Sequence, residues 1–420
     1  MTPTIRDIAT QNRNGTRIGR PSFCTANEKV LDRIYRYAGR NAVPLVVEAT
    51  CNQVNQEGGY TGMKPADFVA MSQRLAQRHG VDAGDVLLGG DHLGPNPWRH
   101  LPPAEAMANA RDLVRQYVEA GFTKIHVDAS MACHGEPAPG FDVVAARAAD
   151  LVRIAECYAP APERLVYVIG TEVPAPGGET GGLESIEVTT PQSLERTVTT
   201  HRSAFAAVAS DAAWARVVSV VTQPGVDFSP SSILAFDPGK AAALTDAILA
   251  HDGLTFEAHS TDYQTREALG GLVDAHFLFL KVGPELTFAY REAILALAHI
   301  EQRLDSGPPS QIERVILEAM DKDSRHWSTY YAGTDREIER LKLFAYSDRI
   351  RYYWGTEAVR AALAKLRANI TSGRASKGLV KQYAGWMGDE PVGEECYDAI
   401  IDERLRCTLD KYYRACNSRL

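Results

Sequence analysis

Short apolar runs separated by amphipathic stretches organise the first 300 residues of this chain. Eight runs stand out, at 19–25, 45–50, 86–91, 124–128, 165–172, 216–222, 254–259 and 277–282. They are rich in Val, Ile, Leu and Phe, and most are continuous apolar blocks. That is the pattern of parallel strands covered on both faces. Between them, Phe68, Met71 and Leu75 share one face of a helix that Pro65 opens and Gly80 ends. Met107, Ala110, Val114, Tyr117 and Val118 form the stripe of a second helix, after Pro102 and Pro103 and before Gly121. Proline at the first turn and glycine past the last are the expected helix ends. Asp237 and Pro238 open a third helix as N-cap and first helical residue.

Eight strands separated mostly by helices predict a (β/α)₈ TIM barrel over residues 1–300. The competing arrangement is an open doubly wound sheet, which lacks a Gly-x-Gly-x-x-Gly turn after its first strand. Beyond residue 300 the strand pattern fades, and 311–320, 335–350, 357–370 and 394–413 read as helices. Residues 301–420 are therefore expected to form a helical extension packed on the barrel. The Gly/Pro-rich stretch 173–194 leaves the end of a strand where barrel active sites lie. It reads either as a lid or as a surface loop without a role.

The charge balance narrows the function. Against 45 Lys and Arg the chain carries 53 Asp and Glu, a net charge of −8. This argues against nucleic-acid and anionic-membrane binding but leaves a small anionic substrate open. No apolar run has the length of a membrane span, and residues 1–20 lack the apolar core of a secretory leader, so a cytoplasmic location is expected. The seven cysteines are odd in number, scattered and without a Cys-x-x-Cys pair, so reduced thiols are expected in place of disulfides or a zinc knuckle.

Polar residues collect at the ends of the strand candidates: Glu48 and Asn52, Asp91-His92, His126 and Asp128, Glu172, Gln223, Glu257 and His259 to Asp262, Lys281 and Gly283. Such a concentration at one rim points to a site. His92 and His259 are candidate ligands of a divalent cation, with Glu172 and Gln223 adding oxygens. Asp91 is a candidate acid/base. Ser260, Thr261 and the backbone near Gly283 are candidates for holding a phosphate. His126 reads as a buried, hydrogen-bonded histidine, and Arg351 as a second-tier phosphate contact. A kinase reading fails, because the nearest string to a phosphate loop, Asp237-Pro-Gly-Lys-Ala241, lacks its first Gly and its Ser/Thr.

Several longer strings resemble the GatZ/KbaZ family: Glu48-Ala-Thr-Cys-Asn-Gln-Val-Asn-Gln56, Gly90-Asp-His-Leu-Gly-Pro-Asn-Pro-Trp98, Lys124-Ile-His-Val-Asp-Ala-Ser-Met131, Phe256-Glu-Ala-His-Ser-Thr-Asp-Tyr263 and Tyr346-Ser-Asp-Arg-Ile-Arg-Tyr-Tyr-Trp354. The resemblance spans essentially the whole chain. It implies kinship with class II, metal-dependent ketose-bisphosphate aldolases and their barrel. It also implies one of two roles: a sugar-phosphate epimerase interconverting D-tagatose 6-phosphate and D-fructose 6-phosphate, or an accessory subunit of a class II tagatose-bisphosphate aldolase. Self-association into a homo-oligomer is expected in addition. Carried over residue by residue, Asp91-His92 resembles the aldolases' proton-handling Asp and metal-binding His, His259 a second metal-binding His, and Glu172 the Glu after the fifth strand. Gln223 departs from the pattern, since the aldolases have a His there. That shifts the implied ion from Zn²⁺ towards Mg²⁺ or Mn²⁺. Proton transfer falls to Asp91 with Glu48 or Asp128, and Lys281 to polarising oxygen or contacting phosphate. Asn52, Ser260, Thr261, Asp262, Gly283 and Arg351 are the implied substrate contacts.

Overall fold

The computed structural model describes residues 4–172, 186–388 and 396–417. Eight parallel strands close into a barrel: Arg20–Cys24, Leu45–Thr50, Val86–Leu93, Lys124–Val127, Val166–Gly170, Val217–Val221, Thr255–Ala258 and Phe277–Val282. The first closes on the eighth, with Ser22 opposite both Lys281 and Val46. All eight apolar runs are strands of this barrel, and the open sheet is excluded. The helices Pro65–His79 and Pro103–Ala120 end, as the pattern predicts, at Gly80 and Gly121 in left-handed conformation. Of the stretch 173–194, residues 173–185 lie outside the described residues.

Two elements escape the pattern. One is a two-residue hairpin, Asp227–Phe228 with Ile233–Leu234, too short to show a period. The other is the helix Ile5–Arg13, capped by a reciprocal Thr4–Asp7 pair. Its Ile8 and Ala9 pack on Val46, Val166, Val218, Leu278 and Phe279 and plug the N-terminal end of the barrel.

Inward positions change character along the barrel axis. Side chains alternate at period two, so Glu48 shares a face with Val46, and Lys281 with Phe279. The same alternation aligns Lys124, His126 and Asp128 on the fourth strand. The apolar layer sits at the plugged end and the charged layer at the open end. Gly89 is required between them, because a Cβ there would lie 2.6 Å from the Glu48 side chain.

The chain after Glu301 folds back over the open end. The predicted helix at 335–350 is shorter, Asp335–Phe344. It stops where Ala345 turns extended (ψ 144°), and beyond it Asp348 adopts a left-handed conformation (φ 42°). The Asp348 carboxylate takes Arg291 Nη1–H at 2.6 Å and the Thr287 hydroxyl, both from barrel helix Pro284–Glu301. The last helix, Cys396–Ala415, packs along that same barrel helix. Its Tyr412 and Tyr413 hydroxyls donate to the Thr261 and Pro44 carbonyls. The seven cysteines are all free thiols.

One buried histidine away from the barrel mouth sets a pH dependence. His201, inside helix Pro191–Val208, makes an Nδ1 hydrogen bond to the Thr197 carbonyl at 2.8 Å. Burial pushes its pKa down from 6.5 to about 4 despite that bond. The unfolded chain therefore binds this proton more readily. Stability is fully present above pH 6.5 and lost as pH falls through 4, by about 3 kcal/mol. His201→Gln should melt with a shallower pH dependence than the wild type between pH 6.5 and 4. Equal slopes in thermal melts would show that His201 does not titrate.

Candidate active site

The open end of the barrel holds a buried polar cluster. Lys124 Nζ bridges Glu48 at 2.7 Å and Glu257 at 2.6 Å, with all three side chains fully buried. Lys281 Nζ lies 2.5 Å from both Glu48 and Asp91. Three imidazoles form a near-equilateral triangle above them. The ring centroids are 5.1 Å apart for His92–His126, 4.8 Å for His92–His259 and 5.1 Å for His126–His259. Each imidazole contacts a carboxylate: His92 Nδ1 with Asp128 at 2.8 Å, His126 Nδ1 with Asp91 at 2.8 Å, His259 Nε2 with Glu257 at 3.0 Å. His92 adopts a left-handed backbone (φ 49°), as does Ser260 (φ 52°). Such strain persists where surrounding structure enforces it, commonly at functional sites. Gly94 allows the close approach, because a Cβ there would sit 1.7 Å from the Asp128 carbonyl.

The electrostatics follow from this packing. Burial opposes ionisation of Asp91 and Glu257, yet the neighbouring cations hold both carboxyls well below their usual range. Burial also works against a charged His92, but Asp91 and Asp128 offset it and hold its pKa above the ordinary value. For His259 burial dominates and pushes the pKa down to about 3, leaving a neutral imidazole. Four carboxylates (Glu48, Asp91, Asp128, Glu257) face two ammonium groups (Lys124, Lys281). Two negative charges remain to be met by imidazolium or by a bound cation.

The donor set fits a divalent cation. Asp91, His126, Glu257 and His259 each offer one ligand atom, and these atoms lie within 4.8 Å of one another. His126 Nε2 is buried and has no hydrogen-bond partner among the described residues. Its Nδ1 lies between the Asp91 carboxylate at 2.8 Å and the His92 backbone N–H at 3.2 Å, and a neutral ring keeps one nitrogen lone pair that a metal can take.

Above the cluster a cavity of 740 Å³ opens between the barrel mouth and the extension. Asp91, His92, His259 and Lys281 reach it from the floor, and Asn52, Ser260, Asp262, Gly283 and Arg351 line its walls. Glu48 and Asp128 lie behind the floor, gripping Lys281 and His92. Thr261 is fully buried, its hydroxyl donating to the Lys281 carbonyl at 2.6 Å. The Gly283 N–H donates to Asp262 at 2.9 Å. Glu172 is exposed and accepts from Ser193 Oγ at 2.6 Å, while Gln223 Oε1 accepts the Gly225 and Val226 N–H groups. Neither Glu172 nor Gln223 belongs to the cluster. His126, Glu257 and Lys124 do, although sequence reasoning made none of them a candidate ligand or catalytic group. The signal was the period-two spacing of 124, 126 and 128 and of 257 and 259.

Residues 5–417 match the family described as D-tagatose-1,6-bisphosphate aldolase subunit GatZ/KbaZ-like. The chain belongs to this family. Membership in the GatZ/KbaZ-like family makes it an aldolase-related protein of sugar-phosphate metabolism. Its fold is similar to the crystal structure of a probable tagatose 6 phosphate kinase from Sinorhizobium meliloti 1021, with 39% identity and a TM-score of 0.86 over 95% of this chain and 100% of that one. Much weaker likenesses are the YdjI aldolase from Escherichia coli K12 (12% identity, TM-score 0.42, 90% of this chain and 100% of that one) and the fructose-bisphosphate aldolase from Campylobacter jejuni (10%, 0.43, 87% and 92%). The string nearest a kinase phosphate loop opens helix Pro238–Ile248, where Asp237 itself takes the Gly239 and Lys240 N–H groups. Among the described residues, no helix is long and apolar enough to cross a membrane.

Proposed function

We propose that the chain interconverts D-tagatose 6-phosphate and D-fructose 6-phosphate by opening and re-forming the C3–C4 bond. The observation that carries this reading is the imidazole triangle set among four carboxylates and two lysines at the barrel mouth. Simple proton removal cannot invert C4, because its hydrogen is not adjacent to the C2 carbonyl and is not acidic. A retro-aldol step avoids the difficulty, since the aldehyde fragment can turn its other face before re-addition.

Asp91, His126, Glu257 and His259, with His92 beside them, would hold a divalent cation that supplies Lewis-acid polarisation of the C2 carbonyl and C3 hydroxyl. Two imidazoles and two carboxylates suit Zn²⁺ or Mn²⁺ better than Mg²⁺, which favours oxygen shells. The C4 hydroxyl proton passes to His92, which Asp128 orients. Lys281, kept charged by Asp91, Glu48 and Glu257 against the effect of burial, donates to a substrate oxygen as negative charge develops. In this reading residues 1–300 hold the chemistry and 301–420 close the mouth.

The second reading, an accessory subunit of a class II tagatose-bisphosphate aldolase, is favoured by the family's own description. One experiment separates the two. The purified chain alone is incubated with D-fructose 6-phosphate and a panel of divalent ions. D-tagatose 6-phosphate is expected to appear and to vanish on chelation. No product with any ion, together with co-purification of an aldolase chain, would replace the epimerase with the accessory subunit.

A further inference from the structure

Inverting C4 by cleavage and re-addition asks for two proton-handling groups. The C4 oxygen points to opposite sides of the carbon in the two epimers. A group within hydrogen-bond reach of one oxygen does not reach the other. The strand ends put Asp91, His92, His259 and Lys281 on the floor of the cavity, and they serve one side. The opposite wall comes from the extension. Of the side chains that line the cavity from there, only Tyr330 and Tyr352 carry a proton acidic enough to give up, since Arg351 and Arg360 stay charged.

The two phenols differ in their surroundings. The Tyr352 hydroxyl oxygen accepts from Arg351 Nη2 at 3.1 Å and from Arg349 Nη1 at 3.4 Å. A guanidinium cannot accept, so the hydroxyl hydrogen has no acceptor among the described residues. Tyr352 and Arg351, which meet at that hydroxyl, both line the cavity, while Arg349 is buried. The arrangement is held in place. Arg349 donates to the His326 carbonyl at 2.9 Å, and Arg351 to the Ser347 and Asp348 carbonyls. The His326 ring stacks flat on Tyr352 at 4.4 Å, and Tyr60 meets it edge-on at 4.5 Å. Burial works against a phenolate here, yet Arg351 and Arg349 bring the Tyr352 pKa below its ordinary 10.0. Tyr330 has Arg349 over its ring face, 3.1 Å from the centroid, and its hydroxyl accepts from neither guanidinium.

We propose that Tyr352 is the second proton-handling group, giving its hydroxyl proton to the C4 oxygen when the aldehyde is re-added on its other face. The assignment rests on the C4 inversion proposed above. His92 takes the C4 hydroxyl proton of one epimer as the C3–C4 electron pair passes into the C2–C3 enediolate. The C4–C6 aldehyde turns about its C4–C5 bond. C3 attacks the newly presented face, and the carbonyl oxygen, now towards the extension, takes the Tyr352 proton. Arg349 and Arg351 stabilise the phenolate left behind. Exchange with water returns a proton to Tyr352 and removes one from His92, and the reverse reaction uses the two groups in the opposite order.

Tyr352→Phe in the full chain, assayed with D-fructose 6-phosphate and with D-tagatose 6-phosphate, is the test. Interconversion should fall at least about 100-fold, as for loss of a positioned acid, with KM little changed. Acid-quenched single-turnover mixtures of the variant should still contain glyceraldehyde 3-phosphate from one of the two epimers, because His92 is intact. A readout independent of turnover is the ultraviolet phenolate titration, in which the wild type should show one phenol ionising below pH 10 that Tyr352→Phe lacks. Tyr330→Phe should keep both its turnover and that ionisation. Unreduced interconversion in Tyr352→Phe, loss of cleavage of both epimers, or an unchanged titration would each overturn the proposal. No interconversion by the wild type removes the C4 inversion and this assignment with it, whereas wild-type interconversion that survives in Tyr352→Phe removes the assignment alone.

Discussion

His126→Ala is expected to lower the affinity for a divalent ion at least about 100-fold and to remove turnover, while the barrel stays folded. The expectation rests on geometry. The His126 ring is 5.1 Å from those of both His92 and His259, its Nδ1 is hydrogen-bonded to Asp91, and its buried Nε2 has no partner. Losing a partner one layer out from a metal already costs 10–100-fold, and losing a ligand costs more. Glu172→Ala and Gln223→Ala are the matched comparison, since their side chains satisfy Ser193 and the 223–226 turn. They should leave ion affinity within about threefold, the scale of an unaltered inner ligand set. The opposite pattern, with His126→Ala binding normally and Gln223→Ala binding poorly, would move the cation to the sixth strand.

The largest stability loss is expected from Lys124→Met. Methionine fits the space and the Phe279 ring 4.7 Å away, but it leaves Glu48 and Glu257 facing each other without the ammonium between them. Removing one partner of a buried ion network costs about 3–5 kcal/mol. For 420 residues the unfolding entropy is about 0.9 kcal/mol per kelvin, so the melting point should fall by about 3–6 °C. Glu48→Gln in the same chain should recover part of the loss by removing one of the opposed charges. A melting point unchanged in Lys124→Met would mean that the buried carboxylates are already protonated.

The barrel was legible because its strands are covered on both faces, which writes a continuous apolar block into each. The helix Ile5–Arg13 was not, since its composition is polar and only Ile8 and Ala9 among its apolar residues are buried. The site was legible where polar residues interrupt or follow the end of an apolar run, as at Asp91, His92 and His259. It was obscured where the charge lies nearer the start of the strand or among apolar neighbours. Lys124 and Glu257 point into a closed cylinder, and only closure brings them 2.6 Å apart. The resemblance implied a ligand at Gln223, after the sixth strand. In the folded chain the third ring of the triangle is His126 of the fourth strand, which linear position does not reveal.

The order in which the cavity is assembled follows from where its walls lie in the chain. A nascent polypeptide that has delivered all eight strands can close its cylinder and bring the three imidazoles together. It still lacks Arg351 and Tyr352 on the cavity wall and the clasp of Tyr412 on the seventh loop. Such an intermediate owns the polar floor without the wall that encloses the cavity above it, which is built from residues beyond 320.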